Sequence, residues 1–121
     1  MRKPSMKAVT FTLEIEPEDI PVEGNAMASG DDSADRECEA EILERLDRGD
    51  LWAWCYVRVT ATWGEFSGSD GLGECSYRSE ADFKRGGYWE DMRAEAYDRL
   101  CEAIERANEE RTVEARIRGE V

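Results

Sequence analysis

The sequence predicts an α+β domain: an antiparallel sheet of three to four strands with two helices packed on one face, in the order β-α-β-β-α with an optional last β. Three observations carry that expectation. Apolar residues alternate near the N-terminus, a long aromatic and β-branched run stretches from Leu51 to Trp63, and two segments repeat apolar residues at helical spacing. At 121 residues the chain fits one domain, 1–121, and a hydrophobic content of 40% is enough to fold despite 37% charged residues.

From Lys7 to Glu16, Val9, Phe11, Leu13 and Ile15 alternate with polar residues, the pattern of a strand with one buried face. Pro17 and Pro21 bracket an extended segment, and the small and polar residues near 23–31 read as a flexible loop. Asp31, Asp32 and Ser33 offer N-caps, and Arg48-Gly49 offers a basic last turn with a C′ glycine, so the first helix is placed at about 33–48. Its buried stripe is expected to be Ala34, Cys38, Ile42 and Leu46, widened by Leu43.

Leu51 to Trp63 reads as one thirteen-residue strand. Its odd positions, Leu51, Ala53, Cys55, Val57, Val59, Ala61 and Trp63, are all apolar and suit a face covered by helices. The even face carries Trp52, Trp54 and Tyr56, followed by Arg58, Thr60 and Thr62. Gly64-Glu65 can turn the chain into a bent or bulged partner strand running from Phe66 through the glycine-rich stretch to Tyr77. Ser79-Glu80-Ala81-Asp82 resembles a capping box with Asp in place of Glu and opens a short helical turn ending at Gly86-Gly87. A longer helix is expected over about 88–107, with Trp89, Met92, Ala96, Leu100, Ala103, Ile104 and Ala107 on one face. Val113, Ala115 and Ile117 then alternate with charged residues, so 108–121 reads as an optional fourth, edge strand. This order permits a ferredoxin-like split βαβ arrangement or a simpler antiparallel sheet with two helices, the second being favoured.

Chemistry is limited by what is missing. The chain has no histidine, which removes the commonest general base and metal ligand. Cys38, Cys55, Cys75 and Cys101 lie at wide spacings without a CxxC pair, so they read as small buried residues rather than zinc ligands or disulfides. Asp31, Ser33 and Asp35 have the alternation of a calcium loop, yet Arg36 stands where the turn glycine belongs and Ile42 where the bidentate Glu belongs. No catalytic residue, metal or cofactor is expected, and the chain reads as a non-enzyme.

Net charge is −13. Residues 13–50 hold fourteen acids against three bases. Such a field repels nucleic acid and anionic lipid and attracts basic proteins, so neither direct nucleic-acid binding nor membrane binding is expected. No apolar run approaches the length of a membrane span, and the start lacks a signal-peptide core, which places the chain in the cytoplasm.

Two features are candidates for function. The first is the acidic helix, with Asp31, Asp32, Asp35, Glu37, Glu39, Glu41, Glu44 and Asp47. Glu41–Arg45 and Glu44–Arg48 have favourable i,i+4 spacing, whereas Asp31–Asp35, Asp35–Glu39 and Glu37–Glu41 are like-charge neighbours. Carboxylates at this spacing, roughly 6 Å apart, can imitate successive phosphates of a nucleic-acid strand. Solvation of a small protein explains an acidic helix equally well. The second candidate is Trp52, Trp54 and Tyr56: uncovered, they form a self-association patch able to support a homodimer; covered by the N-terminal arm or a loop, they form a second small core.

The stretch from Asp50 to Leu100, with Gly49-Asp50-Leu51-Trp52-Ala53-Trp54-Cys55, Leu72-Gly73-Glu74-Cys75-Ser76-Tyr77 and Gly87-Tyr88-Trp89-Glu90-Asp91-Met92, resembles small acidic proteins of unknown function encoded by bacteriophages and mobile elements. The resemblance covers half to three quarters of the chain and transfers no catalytic residue. It implies an inhibitor of the anti-CRISPR or DNA-mimic type that occludes a basic protein or nucleoprotein complex in the bacterial host cytoplasm. The alternative is a structural or accessory phage protein assembling through the aromatic face.

Overall fold

Thr10–Pro17 (β1), Cys55–Trp63 (β2) and Phe66–Cys75 (β3) form a three-stranded antiparallel sheet in the order β1-β2-β3. Three helices complete the fold: Asp32–Asp47 (α1), Glu80–Arg85 (α2) and Gly87–Ile117 (α3). This computed structural model describes residues 2–119. The expected α+β class with an antiparallel sheet is what forms.

β2 lies in the middle, and its alternation sets the core. Cys55, Val57, Val59 and Ala61 are fully buried, whereas Tyr56, Arg58, Thr60 and Thr62 between them are half-buried. Gly64, with φ of +59°, turns β2 into β3 in the left-handed conformation that a two-residue hairpin loop requires.

The described residues cluster into two compact units. One combines the segment ending at Thr12 with Val59–Asp70 and the chain from Asp91 onward. Here α3 buries Met92, Ala96, Leu100 and Ile104 of the expected stripe, with Cys101 added, whereas Trp89, Ala103 and Ala107 are only half-buried. Gly68 of β3 lets the helix come close. A Cβ at that position would overlap the Leu100 amide nitrogen and lie 2.6 Å from the Ala96 carbonyl oxygen. Polar ties fix the same contact: the Arg99 guanidinium, steadied by Glu95 one turn back on its own helix, donates to the Ser69 carbonyl at 2.5 Å and pairs with Asp70 at 3.4 Å. The N-terminal segment is held by the Tyr97 hydroxyl, which donates to the Pro4 carbonyl, and by a Lys3–Glu105 ion pair.

The other unit comprises Leu13–Arg58 and Gly71–Glu90. Val22, Ile42, Ala53 and Trp54 form its core cluster, with Ala26, Cys38 and Leu46 packed against it. The α1 stripe is therefore narrower than expected, since Ala34 and Leu43 are exposed. Asp31 caps α1 by accepting the Ser33 and Ala34 amides. Gly49, at φ +86°, ends the helix: its amide donates to the Leu46 carbonyl, and the Asp50 amide donates to the Arg45 carbonyl at 2.9 Å. That pattern is a Schellman motif. Ser79 caps α2 through the Asp82 amide, and the Asp82 carboxylate reaches back to the Arg78 amide at 3.0 Å. Half of the expected box thus forms, the return bond going to the residue before the cap instead of to the cap itself.

Two expectations are corrected. Residues 51–63 are not one strand: Leu51–Ala53 is a single 3-10 turn and β2 begins at Cys55. The turn follows directly from the α1 exit and is held by the Tyr77 amide donating to the Trp52 carbonyl at 2.8 Å. The optional fourth strand is also absent among the described residues, because Val113, Ala115 and Ile117 belong to α3. No glycine or proline interrupts the chain after Gly87 until Gly119. Adding good helix formers to an existing helix costs little, which a three-residue alternation cannot outweigh. Glu120 and Val121, the end of the expected edge strand, lie outside the described residues.

Candidate protein-binding surface on the acidic helix

The eight acids expected to act together on α1 divide into groups with different tasks. Asp31 is the N-cap. Asp35 accepts the Ser29 hydroxyl at 2.6 Å and the Ser29 amide at 3.2 Å, and Glu39 accepts the Gly24 amide at 3.1 Å. The carboxylates of Asp35 and Glu39 hold the 22–30 segment and that of Asp31 caps the helix, so all three are structural. The chain leading into that segment, which reads as flexible in sequence, is tied by Trp54, whose indole N–H donates to the Ile20 carbonyl at 2.7 Å and whose ring packs with Val22 and Ala26.

Glu37, Glu41, Glu44 and Asp47 form the second group. At 100° per residue they project into an arc of about 120°, each at least about 100° from the buried Ile42 direction. Their steps of four, three and three residues make a single row of exposed carboxylates about 15 Å long. Arg48 shares the arc, yet none of the four has a cationic partner within 4 Å among the described residues. The expected Glu41–Arg45 pair does not form, because Arg45 turns inward to Asp50 at 2.8 Å and to the Tyr77 carbonyl at 2.6 Å. Asp32, at the helix start, is exposed and makes no ion pair among the described residues.

The three aromatics assigned to a self-association face do not share one exposed surface. Trp54 is 4% exposed within the core cluster. Trp52 is half-buried and stacks at a tilt on Phe83, with ring centroids 5.8 Å apart, and Tyr77 meets both rings edge-on. Tyr56 lies across Gly71, where a Cβ would overlap its hydroxyl, with Arg58 over its ring at 5.6 Å. The covering that makes these residues a second core comes from the 20–26 segment, α2 and β3. Gly71 thus leaves room for a ring, a role no sequence pattern announces.

The cysteines are all free, with three of them buried. Burial pushes the Cys55 thiol up to about 12 and the Cys75 thiol up to about 11, so both stay protonated and unreactive. No cluster of three potential metal ligands occurs among the described residues. Among them, too, no helix is long and apolar enough to cross a membrane.

No family model matches the chain, and no curated protein or solved structure does. Its chemistry therefore has to be read from its own side chains.

One carboxylate missed by the sequence reading shapes the surface from within. Glu18, just after β1, accepts the Glu74 amide at 2.7 Å and the Ile20 amide at 3.2 Å. It thereby pins Glu74 at φ +55°, a left-handed conformation that is uncommon outside glycine. The Glu74 amide, with smaller help from Ile20, holds the Glu18 carboxyl below its ordinary range. A depressed folded value means that the unfolded chain binds more protons in that window. The stabilisation is complete above the ordinary carboxylate range and fades as pH falls through the depressed value. Glu18→Gln is therefore expected to lower the urea midpoint at pH 7 while its curve converges with the parent's in acid. Equal losses at pH 7 and pH 3 would contradict this.

Proposed function

We propose that this protein is a non-enzymatic acidic binding protein that occludes a basic, nucleic-acid-handling host protein complex, as a phage anti-defence inhibitor of the DNA-mimic type acting in the bacterial cytoplasm. The observation that carries this reading is the row Glu37, Glu41, Glu44 and Asp47, exposed and without cationic partners among the described residues, on a chain of net charge −13. Like charges at helical i,i+3 and i,i+4 spacing each cost about 0.2–0.5 kcal/mol. A row of them without internal compensation is matched by a cationic surface arranged to receive phosphates. The other α1 acids, Asp31, Asp35 and Glu39, support it by keeping the helix start and adjoining segment in place.

The test separates the two groups. A tagged protein is used to capture partners from bacterial lysate at low salt, and the recovered partner is titrated against the parent and the E37Q/E41Q/E44Q/D47N variant. The variant is expected to fold at least as stably as the parent, since it relieves repulsion, and to bind at least tenfold more weakly. Undiminished binding would remove the helix from the interface. Serine at Asp35 or Glu39 is the wrong probe, because it would release Ser29 or Gly24 along with the charge.

A further inference from the structure

Beyond the helix, a cleft of about 260 Å³ opens within the second unit, bordered by Trp54, Leu72, Glu74, Cys75, Tyr77 and Tyr88. Its lining includes three aromatic residues and one carboxylate, with no basic residue. Trp54 is almost fully buried and fixed by its bond to Ile20, Tyr77 is braced by Phe83, and Tyr88 is 54% exposed at the start of α3. Elsewhere the chain covers rings with its own cations: Arg58 over Tyr56, Lys84 over Trp89 and Arg93 over Phe11. The three rings of the cleft have no such cation among the described residues. Arg45 reaches the Tyr77 carbonyl, but it does not line the cleft and is also engaged by Asp50. Burial first, with the Cys75 thiol and the Tyr88 phenol adding, pushes the Tyr77 phenol up, so this wall stays neutral.

We propose that this cleft receives a single cationic side chain, an arginine guanidinium or lysine ammonium, from a protein partner, with the rings of Tyr77 and Tyr88 as its aromatic wall and Glu74 as its counter-charge. Its volume is below the range of about 300–1,000 Å³ usual for small-molecule pockets, which favours one side chain over a metabolite. An aromatic wall attracts a cation through the ring quadrupole, and a planar guanidinium adds stacking. Glu74 is exposed and is held at the rim by the Glu18 contact to its amide. The site is distinct from the α1 row and does not depend on it.

The experiment titrates ¹⁵N-labelled full-length protein with N-acetyl-argininamide, its neutral isostere N-acetyl-citrullinamide and the apolar N-acetyl-leucinamide, following amide and indole shifts. The arginine probe is expected to give saturable shifts at the Trp54 indole, Ala26 and Leu72–Tyr77, with the citrulline probe at least about fivefold weaker. Tyr88→Ala and Glu74→Gln, both at exposed side chains, are each expected to weaken arginine binding about threefold or more without altering the rest of the spectrum. The E37Q/E41Q/E44Q/D47N variant is expected to bind the probe as the parent does, so failure of either site shows independently. Equal binding of the citrulline probe, preference for the leucine probe, or shifts confined to α1 would overturn the proposal.

Discussion

Replacing Gly68 by alanine is expected to cost about 3 kcal/mol or more, the upper end of what overpacking a close-packed site costs. The reason is geometric. The added methyl would occupy the space of the Leu100 amide nitrogen and press on the Ala96 carbonyl oxygen and the Arg99 carbonyl carbon, all of them backbone atoms of α3. A flexible side chain could swing away, but a hydrogen-bonded helix backbone cannot, so the whole helix would have to lift from β3. Doing so would also strain the Arg99 contacts to Ser69 and Asp70. Since domains hold only about 5–15 kcal/mol in total, the loss is expected to show as a large fall in urea midpoint or as failure to fold. Gly87→Ala is the control: nothing lies within 4 Å of its Cβ position, and the residue opens α3. It is expected to be neutral or mildly stabilising. Equal tolerance of both substitutions would show that α3 does not rest on Gly68.

Trp54→Ala is expected to have the second large effect, about 3–5 kcal/mol, because it empties the middle of the cluster formed with Val22, Ile42 and Ala53. It also strands the Ile20 carbonyl that the indole N–H satisfies. Trp54→Phe keeps most of the volume and loses the hydrogen bond, for an expected cost of about 1–3 kcal/mol. Chemical denaturation of the pair distinguishes packing from hydrogen bonding. A near-neutral Trp54→Ala would instead place this residue on the surface. Loss of any association in Trp54→Ala would report unfolding of the core rather than removal of an interface, so Tyr88, exposed and peripheral, is the sounder place to probe contacts.

What the sequence revealed follows periodicity, and what it hid follows partners. The buried odd face of β2, the Asp31 cap, the Gly49 stop and the α3 stripe are local or periodic properties, so they were legible. The burial of Trp54 is not legible, because alternation along 51–63 sets it on the face opposite Ala53 and Cys55, whereas the chain at Leu51–Ala53 is a 3-10 turn and β2 begins only at Cys55. Nor could spacing show that Asp35 and Glu39 serve Ser29 and Gly24, or that Arg45 leaves Glu41 for Asp50. Acids along a helix look alike in sequence; the chain packed beside them decides which remain available. Gly68 and Gly71 read as generic strand-benders for the same reason, since the helix backbone and the tyrosine ring that they accommodate come from elsewhere.

The central claim concerns the four acids left facing outward on α1. Its most direct test is the salt dependence of binding between the recovered partner and the protein, compared for the parent and the E37Q/E41Q/E44Q/D47N variant. Counter-charge recognition is expected to give a steep loss of parent affinity from low to physiological salt, with a shallower slope and weaker low-salt binding for the variant. Parallel salt curves of equal affinity would contradict it.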